Sequence, residues 1–230
     1  MADPGSQKSE RISVVLSLRN EEEVIPELVR RLEAALSALP LDYELIFVND
    51  DSTDRSLDIL REHAVGNPRV KVLTMSRRFG VFECTLAGID YASGDAVVFM
   101  DADLQDPPEV IPQLVDKWRD GADMVYTVRT RRLGEHPLRM WFTRAAYRVI
   151  GAISEIDLPV EAGDFRLLSR RLVNEVVRLK ESDPYLKGLV TWVGFNRAAV
   201  PYVREPRAAG TTHNPLFRST SVSAGAKLPH

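Results

Sequence analysis

The chain has 230 residues, 44% of them hydrophobic and 27% charged, with a formal net charge of −3. That length suits one large α/β domain or two small ones with a sizeable core, and the charge excludes bulk attraction to nucleic acid. A single cysteine, Cys84, excludes an internal disulfide and fits a reducing compartment. Residues 1–10 are polar and lack the apolar stretch of a secretory signal, and no apolar run approaches the roughly 18 residues of a membrane span.

In chain order, "ISVVLSL" (12–18) reads as a strand. Leu28, Leu32, Ala35, Leu36 and Leu39 then recur at helical spacing, with Pro26 tolerable in a first turn. "YELIFVND" (43–50) is a second strand, and "STDRSLDILREHA" supplies cap candidates and a helix, with Ser52 or Asp54 at its start. "VKVLTMS" (70–76) is a third strand, followed by a helix over 81–92. "AVVFM" (96–100) is a fourth strand, "PPEVIPQLVDKW" a helix opened by prolines, and "ADMVYTV" (122–128) a fifth strand. The spacing then predicts an Arg-rich helix over about 138–153, a strand at "FRLLS", a helix near 170–180 and a strand near 198–203. Without repeat or linker, this β-α-β alternation predicts a single domain with a mostly parallel sheet and helices on both faces. Residues 1–10 and the Ser/Thr-rich 211–230 read as unstructured flanks of a folded unit over 11–210.

Ligands of such sheets bind beyond the carboxyl ends of the strands. "NDDS" follows the second strand, "DADLQD" the fourth and "RTRR" the fifth. Asp101 and Asp103 form a D-x-D that can aim two carboxylates at one hard cation, with Gln105 as a neutral oxygen ligand. A bare D-x-D is more often a turn whose aspartates start a helix, and Asp106, before Pro107, fits that capping role. Asn49, Asp50, Asp51 and Ser52 read equally as a helix cap or as acceptors for a nucleobase N–H or a ribose hydroxyl. Arg129, Arg131, Arg132, Arg139, Arg144 and Arg148 lie within twenty residues. Such a run is usually a solvated face, yet arginine forks also suit phosphate. Cys84 falls among Phe82, Leu86 and Ile89, which is core spacing. The histidines show no zinc-ligand spacing, and neither G-x-G-x-x-G nor a P-loop is present.

Together, "SVVLSLRNEEEVIPEL", "VNDDSTD", "SRRFGVFECTLAGIDYASGD", "DADLQDPPEVIPQLVDKWRDGADMVY", "GDFRLLSR", "YLKGLVTWVGF" and "REPRAAGTT" resemble family 2 glycosyltransferases of the GT-A, Rossmann-like fold. Within that family they are similar to the polyprenyl-phosphate glycosyltransferases, the dolichol-phosphate mannose synthases and bactoprenol glucosyltransferases. The match runs from about Ile12 to Gly210. The resemblance implies inverting transfer of a hexose from a nucleotide sugar (UDP-glucose or GDP-mannose type) to a polyprenyl phosphate. Ser17, Glu21, Asp50, Asp51 and Asp101 would face the nucleotide sugar. Asp101, Asp103 and Gln105 would hold Mg²⁺ or Mn²⁺. Arg129, Arg139, Thr143 and Arg207 would hold the acceptor phosphate, and Asp164 and Arg166 would line the catalytic centre with Asp103. It further implies work at the cytoplasmic face of a membrane, admits a homo-oligomer, and places membrane-associated helices of many relatives beyond residue 210.

The sequence departs from the family at Ser17-Leu18-Arg19-Asn20, at Val81 and at His213, positions that bear on nucleotide and acceptor. Two other readings stay open here. A transferase acting on a sugar hydroxyl would use Asp164 as base. A nucleotide-binding module would bind without turnover. A nucleotidyltransferase is disfavoured because "SLRNEEE" is acidic where a Gly-rich phosphate loop is expected.

Overall fold

The computed structural model describes residues 9–131, 162–178 and 195–206. The first strand, β1 (Arg11–Leu18), is buried on both faces, and that explains its unbroken apolar run. It leads into α1 (Ile25–Ser37), whose Leu28, Val29, Leu32 and Leu36 form one buried stripe, with Pro26 in the first turn. The chain continues through β2 (Asp42–Asn49), α2 (Ser56–Gly66), β3 (Val70–Thr74), α3 (Val81–Tyr91) and β4 (Ala96–Asp101). A 3-10 turn (Pro108–Val110) precedes α4 (Ile111–Arg119), and β5 (Met124–Arg131) follows. Beyond residue 161 come β6 (Ala162–Ser169), α5 (Arg170–Arg178) and β7 (Arg197–Val203). Each sequence-predicted strand and helix among the described residues is present. The Arg-rich helix expected over 138–153 lies outside them.

The strands form one sheet in the order β3-β2-β1-β4-β6-β5-β7. Neighbours pair parallel except around β6, which runs antiparallel to β4 and to β5. Alternation along the chain suggests that β5 lies beside β4. Instead β6 takes that place, entering from the carboxyl edge where β5 has just ended. Phe165, Leu167 and Leu168 are fully buried, so this strand needs a central position with cover on both faces. α1, α2 and α4 pack on one face through Leu32, Leu60 and Leu114. α3 and α5 cover the other through Cys84, Ile89, Leu172 and Val176. Among the described residues no helix is long and apolar enough to cross a membrane.

The amino edge of the sheet is tied by Glu44, only 3% exposed. Its carboxylate accepts from Ser13 Oγ (2.6 Å), Ser93 N–H (2.7 Å), Ser93 Oγ (3.0 Å) and Lys71 Nζ (2.6 Å). Gly94 N–H donates back to Ser13 Oγ at 2.8 Å, and a Cβ at Gly94 would lie 2.6 Å from the Ser13 amide nitrogen. Burial pushes the Glu44 carboxyl up, but Lys71, Ser13 and Ser93 outweigh it and hold it down at about 2. An unfolded glutamate titrates near 4.3, so the site contributes about 3 kcal/mol, fully present above that pH. The contribution is lost as pH falls towards 2. Urea unfolding of Glu44→Gln is therefore expected to show a loss of about 2–3 kcal/mol at neutral pH and a flatter acid limb. An acid limb as steep as the parent's would contradict this role.

Candidate active site

The sheet order reverses between β1 and β4, the place where open α/β sheets take ligands beyond their carboxyl ends. There Ser17 lies beside Val48 of β2 on one side and beside Asp101 of β4 on the other. The loops leaving β1 and β2 are laced together. Asn20 N–H donates to Ser52 Oγ (3.0 Å), Glu21 N–H to Ser56 Oγ (2.9 Å) and Thr53 N–H to Asn20 Oδ1 (2.8 Å). Neither cap candidate caps α2: Arg55 occupies the cap position, with no side-chain cap bond, while Asp54 Oδ1 accepts from Ser56 N–H at 2.9 Å in the turn just before the helix and Ser52 serves the loop.

Asp50 is buried, and both its oxygens are engaged. They accept from Phe79 N–H at 2.7 Å and Gly80 N–H at 3.0 Å. The residue that the family resemblance assigns to the nucleotide thus fixes the loop after β3, where Gly80 has φ 112°, a left-handed conformation suited to glycine. Its neighbour Asp51, at φ 53°, is exposed on the same edge. Glu21 is buried at the start of the α1 connection.

Asp101 ends β4, and the loop after it turns through Leu104, at φ 59°. Asp103 Oδ1 accepts the Gln105 N–H at 3.0 Å. Burial pushes the Asp101 carboxyl up to about 7, with Asp106, Asp103 and Asp164 adding to the rise and Arg204 opposing it. Such crowding of carboxylates is relieved by a cation, and the donor set suits a hard one: two carboxylates and an amide. Among the described residues no three acidic, histidine or cysteine side chains already form a metal cage. Asp101, Asp103 and Gln105 are a donor set that would suit a hard cation with further oxygen ligands supplied from outside the chain.

Asp106 does not cap a helix. The following 3-10 turn has no side-chain cap, and Asp106 is 0% exposed. It accepts a hydrogen bond from Tyr202 Oη, and Arg204 Nε lies 3.7 Å from its Oδ1. Burial raises its pKa while Tyr202, Arg204 and Arg129 oppose the rise; burial and Asp106 together push the Tyr202 phenol up to about 12. Sequence reasoning missed Tyr202 and Arg204. Asp106 and Tyr202 are 96 positions apart, and no local pattern marks the pair.

Asp164 enters this edge on β6. The last ladder pair there is Phe99 with Arg166, and extending that register by two residues sets Asp164 opposite Asp101. On the other side of the strand, Gly163 lets β6 lie close against β5, since a Cβ there would lie 2.6 Å from Thr127 Oγ1. Arg166, only 1% exposed, donates Nε–H to the Gly163 carbonyl at 3.2 Å, so its guanidinium sits beneath the surface of the cleft. Arg129 is half-buried, donates to Tyr202 Oη at 3.4 Å and lies in the field of Asp106 and Asp164. Arg139, Thr143 and Arg207 lie outside the described residues.

A family model described as Glycosyl transferase family 2 matches residues 13–177. The chain belongs to that family. This family 2 chain is 47% identical over 92% of its length to the uncharacterized glycosyltransferase YkcC of Bacillus subtilis, covering 65% of that protein. It is 40% identical over 87% of its length to the bactoprenol glucosyl transferase of Shigella phage SfV, again covering 65% of the relative. The chain therefore spans just under two thirds of the relatives it matches. Among solved structures, glucosyl-3-phosphoglycerate synthase of Mycobacterium tuberculosis is 26% identical, with a TM-score of 0.53 over 87% of this chain and 74% of the other. A mannosyltransferase of Pyrobaculum calidifontis, solved with GDP-Man and Mn²⁺, gives a TM-score of 0.58 at 19% identity, covering 86% of this chain and 56% of the other. These likenesses place the family 2 chain in the GT-A class of fold.

Proposed function

We propose that the chain transfers a hexose from a nucleoside-diphosphate sugar to a small acceptor, with inversion at the sugar. The observation that carries this is the meeting of Ser17, Asp101 and Asp103 at the strand-order reversal, beside loops that Asp50 and Asp54 hold in place. A bound Mg²⁺ or Mn²⁺ would supply Lewis-acid stabilisation of the leaving diphosphate. The chain's own side chains orient the donor and compensate charge where it develops.

Two acceptor chemistries rest on separate observations. Among the described residues, the β6 register sets the Asp164 carboxylate across from Asp101, and an acid there supports a hydroxyl acceptor with Asp164 as base. The names of relatives at 38–40% identity favour a polyprenyl phosphate instead. On that reading the acceptor oxygen is ionised near neutral pH, since a phosphomonoester has a second pKa of about 6. Arg129, joined by Arg139, Thr143 and Arg207, would hold it, and the chain would work at the cytoplasmic surface of a membrane. A panel of UDP-glucose, GDP-mannose and related donors against a short polyprenyl phosphate and simple sugar acceptors, read by mass spectrometry, tests both. A hexose mass increment on one acceptor class is expected. Binding of donor with no product on any acceptor would sink the transferase reading.

A further inference from the structure

The junction between β7 and the carboxylate loop contains buried polar groups that the transfer itself leaves without a task. Three contacts cross it, and none uses the side chain of a metal-ligand residue. Tyr202 Oη donates to Asp106, Arg204 Nε lies 3.7 Å from Asp106 Oδ1, and Glu205 N–H donates to the Gln105 carbonyl at 2.9 Å. We propose that Tyr202, with Arg204 beside it, is a positioning residue: acting through Asp106, it holds loop 101–106 in the shape that presents Asp101 and Asp103 to the donor's cation. This inference rests on the nucleotide-sugar reading above.

The loop needs such a hold. Leu104 adopts φ 59°, a conformation that a non-glycine residue keeps only where its surroundings over-determine it. Within the loop, the Asp103–Gln105 turn spans only two residues and cannot set the direction of Asp101 relative to Asp103. Asp106, one residue past the ligand set, is fully buried, so its partner fixes where the loop ends. That partner is itself fixed. The Tyr202 ring packs edge-on against Phe165 at 6.3 Å, and Arg129 Nε donates to its oxygen at 3.4 Å. Phe165 adjoins Asp164, so one tyrosine ties the donor loop to the strand carrying the acceptor-side acid. Partners beyond the direct ligands commonly set metal affinity, and their removal costs about 10–100-fold.

Tyr202→Phe keeps the ring and its packing and removes only the hydroxyl. Mn²⁺ affinity in the presence of UDP or GDP, followed by the free-Mn²⁺ EPR signal, is expected to fall about tenfold. Amides of residues 102–106 should exchange faster with solvent in the metal-free protein, and saturating Mn²⁺ should restore turnover. Arg204→Gln should move both readouts in the same direction, and Arg204→Lys should recover them; this pair serves if the tyrosine variant does not fold. Unchanged Mn²⁺ affinity and unchanged exchange in the variants would overturn the proposal, as would a lower melting temperature with neither readout altered. Failure of the parent to bind Mn²⁺ with either nucleotide would count against the donor reading, and the exchange data would still decide the role of Tyr202.

Discussion

Asp103→Asn is expected to lower transfer by about 10³-fold or more while leaving the fold intact by circular dichroism. On the proposed reading, the substitution removes one of the two carboxylates that would hold the donor's cation, and a cation held by a single carboxylate binds weakly. Loss of one preorganised electrostatic group at a developing charge costs about 10²–10³-fold, and weaker cation binding adds to that. The fold should survive because Asp103 is only half-buried and its bond from the Gln105 amide can be kept by the asparagine oxygen. In the parent, chelator should abolish transfer, and Mg²⁺ or Mn²⁺ should restore it. Full activity in excess chelator would remove the cation from the account.

Asp164→Asn separates the two acceptor chemistries. If the acceptor is a hydroxyl, Asp164 takes its proton, and losing a general base costs about 10²–10⁴-fold. The acid limb of the pH–rate profile should then vanish in the variant. If the acceptor is a phosphate, its oxygen is already ionised above pH of about 6. The acid limb should then persist in the variant, and a free polyprenol should not accept sugar in the parent. Asp164 would in that case shape the site and set the field around Arg129, with which it interacts. Efficient transfer to the alcohol, or loss of the limb with the mutation, would assign Asp164 as base.

The same contrast between local and distant groups divides what could be read from the chain. Alternating apolar runs and helical stripes determined by themselves the strands and helices from β1 to β5, because both faces of the central strands, and one face of each helix, are buried against neighbours. The placement of "DADLQD" at a strand's carboxyl end followed from that alternation. Tertiary structure alone decided the rest. The position of β6 between β4 and β5 depends on which sheet edge the chain returns from, and the apolar pattern of a strand carries no direction. Asp50 read locally as a cap or a nucleotide contact, Glu44 as a strand residue and Asp106 as a cap. Their partners lie 29, 49 and 96 positions away. A buried carboxylate must find donors wherever the fold brings them, and its own neighbours in sequence do not say which those will be.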